Sequence, residues 1–268
     1  MSMLSGVAPW DMVAEGYAET TKHWFRPYIE AALDLVPLTN NDQIADIACG
    51  PGTLSLAAAG RVASVKALDF SENMLAMLRE SIAEEGVDNI EAVQGDGQDL
   101  PYEDGTFDAA FSMFGLMFFP DRSKGYAELR RTLKPGGHVC VASWAPVAHS
   151  PVMTAMFGAM QAIKPDLPDP TYDATSLENP DVLKAELSAA GFRDVSVHHV
   201  TLSSEITSAE DFWAGMVKGS APVLMLKNAT PEEVWREKSK RAVDHIETEV
   251  GPLPVTLSAT AYVGVGVK

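Results

Sequence analysis

The sequence predicts an α/β fold built around a parallel sheet, and three features of the chain lead to this prediction. Between residues 43 and 145, short apolar segments alternate with helix-forming segments, which is typical of βαβ units. One of these segments, Phe107 to Met113, is mostly apolar, as expected of a strand covered on both faces. The stretch from Gln43 to Thr53 joins such a strand to the start of a helix through a two-glycine turn.

This turn, Gly50-Pro51-Gly52, is the element around which the rest of the chain is expected to be organised. In open α/β sheets, ligands bind where such turns follow the carboxyl ends of strands. A glycine lets the backbone approach a ligand closely because it has no Cβ. The unpaired amides at the start of the next helix can bind a polar ligand group. The turn therefore predicts a ligand site at this edge of the sheet.

The strands are predicted from short apolar or β-branched runs that are bounded by turn residues. The runs lie at residues 43–48, 64–69, 90–94, 107–113, 138–144, 193–202 and 255–267.

The helices are predicted from apolar residues at helical spacing and from their end signals. Residues 10–36 are expected to form a helical N-terminal cap that is interrupted near Pro27. Ser71 caps a predicted helix that reaches about Glu84. The block 134–137 is expected to stop a helix over 121–133. Further helices are predicted at residues 152–163, 180–191, 208–218 and 231–248.

Composition and charge favour a soluble globular protein of a reducing cytoplasm over a protein that binds polyanions. The chain has 268 residues, is 46% hydrophobic, and carries a formal net charge of -17. An acidic surface repels phosphate backbones and anionic lipid, so no nucleic-acid or membrane partner is expected. The two cysteines imply no disulfide framework, which suits a reducing compartment. Neither a secretory signal nor a membrane-spanning run is expected.

Polar side chains follow the carboxyl ends of successive predicted strands. Asp46 lies at the end of the first, Asp69 ends the second, and Asp96 follows the third. An acidic residue that ends the second strand is placed to accept hydrogen bonds from a ribose diol. Asp96 is a candidate acceptor for an adenine amine, while Phe70 and Met74 are candidates to enclose the base. Together, and in this order, these residues predict a site for an adenosyl ligand.

Two common phosphate-binding patterns are absent from the glycine turn. A dinucleotide fingerprint needs a third glycine at the position that Ser55 occupies, and no Gly-Lys-Ser/Thr sequence follows the turn. An aspartate at position 46 also disfavours a bound phosphate and favours an amino group. The site is therefore expected to bind a ligand that is less anionic than a pyrophosphate.

With these motifs, the run from 43 to 145 resembles the class I S-adenosylmethionine-dependent methyltransferases. The last block of the resemblance is most similar to the small-molecule branch, which includes quinone-biosynthesis methyltransferases. The matching blocks are Asp46-Ile-Ala-Cys-Gly-Pro-Gly52, Ala67 to Leu75, Gly95 to Pro101, Phe107-Asp108 and Leu133-Lys-Pro-Gly-Gly137.

The resemblance implies a Rossmann-like, seven-stranded, doubly wound sheet that is mostly parallel, with residues 255–267 as a final antiparallel strand. It also implies one methyltransferase domain over residues 1–268, with its cofactor-binding core at 43–145. Residues 146–178 and 203–250 would then form a cap or insert on the substrate side. The implied cofactor is S-adenosyl-L-methionine, and the implied activity is methyl transfer to a small molecule.

The cofactor residues implied by the resemblance lie in four blocks, each at a strand end. Asp46 and Gly50 would hold the methionine moiety, Asp69 the ribose, and Asp96 the adenine amine. Met113 and Phe114 would lie between cofactor and acceptor. The whole implied set is Asp46, Ala48, Cys49, Gly50, Gly52, Asp69, Phe70, Met74, Gly95, Asp96, Gly97, Gln98, Met113 and Phe114.

The acceptor side is predicted from the aromatic residues and methionines of the N-terminal cap, residues 114–119, and segments 146–178 and 208–226. Such side chains favour a small, apolar or aromatic acceptor that is methylated by in-line displacement. Tyr17 and His149 are the candidate catalytic residues, in case the acceptor must lose a proton. No metal site is expected, because His198 and His199 lack neighbouring ligands. The candidate acceptor residues are Tyr17, Trp24, Met117, Phe118 and Trp144.

Two other functions are compatible with parts of the pattern. A non-catalytic scaffold or regulator would bind the cofactor without a closed acceptor pocket. A nicotinamide-dependent reductase would share the fold, although Ser55 and Asp46 both disfavour it. The sequence is compatible with methyl transfer to an oxygen, a nitrogen or a carbon atom. It is also compatible with any oligomeric state.

Overall fold

The computed structural model describes residues 3–268, and within them the strands form one seven-stranded sheet. The strand order is β3-β2-β1-β4-β5-β7-β6. Strands β1 to β5 pair in parallel, whereas β7 runs antiparallel to both β5 and β6. The predicted seven-stranded sheet with an antiparallel last strand is thus confirmed. The strands are β1 (Gln43–Ile47), β2 (Ser64–Asp69), β3 (Ile90–Gln94), β4 (Phe107–Met113), β5 (Leu133–Trp144), β6 (Arg193–Ile206) and β7 (Val255–Val267).

Helices connect and cover these strands. They are α1 (Ala8–Asp34), α2 (Thr53–Ala58), α3 (Glu72–Glu85), α4 (Arg122–Thr132), α5 (Pro151–Ile163), α6 (Pro180–Ala189), α7 (Ala209–Gly219), α8 (Ala221–Asn228) and α9 (Glu232–Val250). None of the helices among the described residues is both long and apolar enough to cross a bilayer.

The predicted cap of α3 is present, and its geometry shows why the helix starts there. Ser71 has an extended backbone, and its Oγ accepts a hydrogen bond from the Met74 N–H at 3.1 Å. At the other end, Gly86 takes a left-handed conformation with φ of 66°, which a glycine adopts without a steric penalty. These two end signals hold α3 directly after the carboxyl end of β2.

Helix α1 is continuous through Pro27, so the interruption predicted there is wrong. A proline removes one backbone hydrogen bond and crowds the preceding turn. The turns after it are held by packing instead, since Tyr28, Ile29 and Leu33 are all buried. Tertiary burial has therefore overridden a local break signal.

Helix α4 ends at Thr132, one residue before its predicted end. The block Lys134 to Gly137, however, belongs to the start of β5, which was predicted to begin only at residue 138. The pairing of β4 with β5 then jumps from Phe107–Leu133 to Ala109–His138, so that the intervening residues of β5 bulge. β5 therefore begins earlier in the chain than predicted, because its start is set by long-range strand pairing that local turn residues do not reveal.

Two apolar regions have different roles. The sheet and the carboxyl half of α1 share a core that includes Ile44, Phe111 and Leu33. Helices α5, α7 and α9 form a second cluster around Trp213 and Trp235, whose rings stack with centroids 6.0 Å apart. The helical segments after β5 therefore bury much of their apolar surface against one another.

Candidate active site

A cavity of about 520 Å³ lies at the carboxyl ends of β1, β2 and β4 and beside the turn after β3. Helix α1 and the residues before it cover its other side. Asp46, Asp69 and Asp96 all line this one cavity. The ends of parallel strands meet at one edge of a sheet, which is why residues distant in sequence converge here.

All the residues of the implied cofactor set except Gly52 line the cavity. Gly52 is the N-cap of α2 and has φ of 83°. A Cβ built on Gly52 would lie 2.2 Å from Cδ1 of Leu78. Gly52 therefore faces α3, and its role in the structure is to allow the turn and the close packing of Leu78.

Asp46 is buried and is held by Ser55, the residue found where a dinucleotide fingerprint has glycine. Its Oδ2 accepts hydrogen bonds from the Ser55 N–H at 3.1 Å and from the Ser55 Oγ at 2.6 Å. Burial raises the pKa of Asp46 from 3.8 to about 7, against the lowering effect of the Ser55 hydrogen bonds. The negative charge of Asp69 raises this pKa further. A nearby cation would therefore stabilise the carboxylate form.

Asp69 joins the two loops that carry the glycine turn and the start of α3. Its Oδ2 accepts a hydrogen bond from the Gly50 N–H at 2.8 Å, and its Oδ1 accepts one from the Ser71 N–H at 2.9 Å. Burial raises the pKa of Asp69, and these amide bonds act in the opposite direction. The carboxylate is thereby oriented before any ligand is bound.

Asp96 and Gln98 form a smaller network after β3. The Gln98 N–H donates to Oδ1 of Asp96 at 2.9 Å, and Oε1 of Gln98 accepts from the Asp121 N–H at 3.0 Å. Asp96 is exposed, so its carboxylate can bind a further donor at the cavity edge. Gln98 connects this edge to the start of α4.

The charge of the cavity lining is one-sided. It contains three aspartates, and none of the described residues that line it is a lysine, arginine or histidine. Three carboxylates without a cationic neighbour favour a ligand that brings positive charge. The lining therefore disfavours a phosphate-rich ligand, as the sequence predicted.

Helix α1 and the residues that follow β4 give the cavity an aromatic side. Phe25 from α1 packs edge-on against Phe114, with centroids 5.0 Å apart, and Tyr17 tilts against Phe25 at 6.0 Å. Trp10 lies between Tyr17 and Phe118, at 5.9 and 5.2 Å. We call Trp10, Tyr17, Phe25, Phe114 and Phe118 the aromatic wall; all five line the cavity.

Tyr17 is present in the cavity, but its environment is unsuited to the predicted role of a base. Burial raises the pKa of its hydroxyl, and the negative charge of Asp69 raises it further. The hydroxyl is therefore protonated at neutral pH. Tyr17 can donate a hydrogen bond, but it cannot accept a proton there.

Four other candidate residues lie away from the cavity lining. His149 ends a short 3-10 helix after β5 and does not reach the cavity. Trp24 packs against Phe212 on the outer side of α1. Met117 lies in the core, where its Sδ is 3.8 Å from the Oγ of Ser143. Trp144 stacks behind Phe114, with centroids 4.3 Å apart, and supports the aromatic wall from outside.

The segments 146–178 and 208–226, predicted to shape the acceptor pocket, do not line the cavity. Their apolar residues, such as Met156 and Trp213, belong to the second helical cluster. Methionines and aromatics at helical spacing serve equally well in a helical core, so the pattern alone does not distinguish a pocket from a core.

Residues of α1 that the sequence did not assign to the site do line it. Thr21, Phe25 and Ile29 lie on the cavity side of α1, four residues apart and in line with Tyr17. Residues four apart lie on one helix face, so this spacing was the available signal. Leu4 and Val7 also contribute from the start of the described chain.

Comparisons with known proteins agree with this geometry. Residues 44–137 match a family model described as a methyltransferase domain. A demethylmenaquinone methyltransferase from Clavibacter sepedonicus is 35% identical over 178 residues, which cover 62% of this chain and 71% of that protein. One from Bacillus subtilis is 40% identical over 121 residues, which cover 44% of this chain and 48% of that protein.

Solved structures share the architecture. The YcgJ protein of Bacillus subtilis matches with a TM-score of 0.58 and 18% identity, covering 90% of this chain and 97% of YcgJ, which shows the shared fold. A candidate S-adenosylmethionine-dependent methyltransferase of Methanococcus maripaludis matches with a TM-score of 0.54 and 26% identity. That match covers 69% of this chain and 86% of the other. The chain therefore belongs to the class I S-adenosylmethionine-dependent methyltransferases and is an enzyme whose cofactor is S-adenosylmethionine.

Proposed function

We propose that this enzyme transfers the methyl group to a small, apolar, aromatic acceptor by in-line displacement. The observation that carries the proposal is one cavity whose described lining combines three aspartates and no cationic side chain with the aromatic wall. The carboxylates suit the cationic cofactor, and the aromatic wall suits a flat, uncharged acceptor.

The three aspartates and the glycine turn offer separate groups for each part of the cofactor. Asp46 and the Gly50 turn would hold the methionine moiety, whose ammonium group complements the buried carboxylate. Asp69 would accept hydrogen bonds from the ribose hydroxyls. Both of its oxygens already accept one backbone hydrogen bond, but each carboxylate oxygen can accept two. Asp96 and Phe70 would contact the adenine.

The cofactor supplies an activated methyl group on a sulfonium sulfur. The contribution required of the protein is to hold the acceptor's nucleophilic atom in line with that methyl group. The aromatic wall is suited to this task, because α1 and the end of β4 fix its rings against one another. Its apolar rings also disfavour water around the acceptor.

Apart from the three aspartates, which would bind the cofactor, no described side chain that lines the cavity would act as a base at neutral pH. Besides the three aspartates, the ionisable groups among the described lining residues are Cys49 and Tyr17. Burial raises the pKa of the Cys49 thiol well above its usual value, as it does for the Tyr17 hydroxyl. We infer an acceptor whose nucleophilic atom needs no proton removed by the protein before it attacks.

The relatives give this acceptor class a concrete example. Their names describe methylation of demethylmenaquinone, and a quinone-like ring would fit a surface of stacked aromatic side chains. We propose that the acceptor of the present enzyme is also bicyclic and quinone-like, and that it is methylated in its aromatic form.

Two measurements test the proposed function. Isothermal titration calorimetry should show binding of S-adenosylmethionine and of S-adenosylhomocysteine. A cell extract incubated with the enzyme and a methyl-labelled cofactor should then yield a labelled aromatic small molecule in mass spectrometry. A label found only on protein, on nucleic acid or on strongly charged metabolites would reject the acceptor class.

A further inference from the structure

Strand β6 lies at one edge of the sheet, and its outer side is unpaired. Within the described chain, residues 196–206 pair with β7 alone. None of the turns or loops among residues 3–268 forms a backbone hydrogen bond with them either. An edge strand presents a row of N–H and C=O groups that can pair with another strand. The outer side of β6 can therefore accept one more strand.

The usual protections of an edge strand are missing from most of β6. Natural sheets discourage edge pairing with short strands, charged residues, prolines or bulges. Strand β6 has 14 residues, and none of residues 195–204 is charged or a proline, although 21% of the chain is charged. Its register with β7 shifts between Arg193 and Ser196. From Ser196 to Ile206 the register is unbroken, so this part of the edge is regular.

Exposed side chains alternate along this regular part. Residues two apart in a strand share a face of the sheet. Leu202, on the other face, packs against the core that the sheet shares with α1. The strand is therefore held from one face and open on the other face and at its edge. The exposed residues are His199, Thr201, Ser203 and Glu205.

Antiparallel pairing of two β6 strands about Leu202 makes this edge complementary to itself. A two-fold axis there would place His199 of each copy opposite Glu205 of the other, and Thr201 opposite Ser203. Glu205 is the one charged residue of the regular part, and a histidine ring N–H can donate to its carboxylate. Opposed pairs of complementary side chains stabilise neighbouring strands, and a two-fold interface repeats each pair.

The charge of the chain favours a second copy over other partners. Two copies that each carry a formal net charge of -17 repel one another, so they meet most easily where carboxylates are fewest. Residues 195–204 are such a stretch. A basic partner would be attracted to the acidic surface elsewhere, and this edge would offer it little negative charge.

A small cavity beside the strand offers the second copy a further contact. The cavity has a volume of about 100 Å³, and Trp24, Pro27 and Ser204 are among the residues that line it. Trp24 is 38% exposed. With the two-fold axis at Leu202, Val200 of the second copy would lie opposite Ser204, at the rim of this cavity. A tryptophan beside a pocket is typical of the residues that dominate the binding energy of interfaces.

We propose that two copies of this enzyme associate through antiparallel pairing of their β6 strands, centred on Leu202. The seven-stranded sheets of both copies then join into one continuous sheet. None of the described residues of β6 lines the cofactor cavity. The inference is therefore independent of the proposed acceptor.

Analytical ultracentrifugation of the full chain tests the association. We expect a species with the mass of two 28.8 kDa chains at micromolar concentrations. His199→Glu should raise the dissociation constant of the dimer about tenfold, because like charges then face each other at two symmetric positions. The double variant His199→Glu/Glu205→Lys should restore the dimer, because opposite charges face each other again. Ala83→Glu adds the same charge at an exposed position of α3 and should leave the dimer unchanged.

Cysteine cross-linking tests the register. A chain that carries both Thr201→Cys and Ser203→Cys should form a disulfide-linked dimer on mild oxidation. Thr201→Cys alone should not, because the two copies of position 201 are diagonal neighbours, too far apart for a disulfide. The native Cys49 and Cys140 are buried and should not compete. Each variant should bind S-adenosylhomocysteine as the wild type does, which shows that it is folded.

The contrary outcomes are distinct. A wild type that sediments as a monomer would overturn the proposal. A dimer that His199→Glu leaves intact would also overturn it, because the copies would then meet elsewhere. If the charge exchange does not restore the dimer, or if Thr201→Cys alone cross-links it, the pairing about Leu202 is rejected.

Discussion

The N–H of Gly50 donates a 2.8 Å hydrogen bond to Oδ2 of Asp69, which ties the turn after β1 to the end of β2. The Ser71 N–H binds the other carboxylate oxygen. The two loops that would contact the methionine and ribose parts of the cofactor are therefore held together by one side chain. This arrangement makes Asp69 both a binding group and an organiser of the site.

Asp69→Asn should weaken binding of S-adenosylhomocysteine by about 10- to 100-fold. An amide presents one acceptor atom, so one of the two backbone N–H donors loses its partner and faces an NH₂ group. Calorimetry measures this change. Asp88→Asn, at an exposed position outside the cavity, should bind like the wild type. An Asp69→Asn affinity within twofold of the wild type would contradict the assigned role.

Binding of S-adenosylhomocysteine should strengthen as the pH rises towards 7. The pKa of Asp46 is raised to about 7, so below that pH the carboxyl is mostly neutral and attracts the ligand's ammonium group less. The dissociation constant should rise by up to about tenfold per pH unit below 7. The same titration on Asp46→Asn should show a clearly shallower pH dependence. Equal slopes in both proteins would assign the proton to another group.

The stability of the ligand-free enzyme should show the opposite trend. Because the folded-state pKa of Asp46 lies above its unfolded value of 3.8, the folded state binds more protons between about pH 4 and pH 7. The free energy of unfolding should therefore fall as the pH rises through this window, by a few kcal/mol, roughly, from this group. Urea unfolding at pH 5, 6, 7 and 8 measures the trend, and Asp46→Asn should flatten it. A wild-type stability that rises from pH 5 to 7, with no difference from the variant, would disagree.

The contact between α1 and the cofactor loop should control how fast the cofactor leaves. Ser71 Oγ donates a 2.5 Å hydrogen bond to Oδ1 of Asp11 on α1. Asp11→Ala removes this acceptor and leaves a fully buried hydroxyl without that partner, which costs about 1–3 kcal/mol. We expect S-adenosylhomocysteine to dissociate several-fold faster in stopped-flow measurements. Glu15→Ala, at an exposed position of the same helix, is the control and should leave this rate unchanged.

Gly52→Ala should reduce stability more than it reduces cofactor binding. The new Cβ would clash with Leu78 and would also be held at φ of 83°. Urea unfolding should show a loss of about 2–4 kcal/mol. The double variant Gly52→Ala/Leu78→Ala separates these causes, because it removes the clash and keeps the strained backbone. If Gly52→Ala keeps wild-type stability but loses cofactor binding, Gly52 belongs to the cavity after all.

The cofactor half of the site could be predicted from the sequence because its signals are local. A glycine turn, an aspartate at a strand end and a serine cap each lie within a few residues of the strand they follow. Once the strands are known to be parallel, their carboxyl ends must share an edge, so Asp46, Asp69 and Asp96 converge. The structure places all three in one cavity.

The acceptor half could not be predicted in the same way. The aromatic wall combines Phe25 from α1 with Phe114 from the end of β4. Contacts between residues so far apart in the sequence leave no local pattern in it. The same residue types fill the helical cluster of α5, α7 and α9, so composition did not distinguish Trp213 from Trp10. Trp24, for example, lies against Phe212 of α7 and not in the cavity lining.

The sequence by itself determined the order of the strands along the chain and the strand ends that carry polar residues. It also determined the chemistry of the cofactor site, because all of these depend on short-range patterns. Only the tertiary structure decided which face of α1 covers the cavity and which aromatic rings line it. These outcomes depend on close packing between distant segments, where a few tenths of an ångström decide which side chain fits.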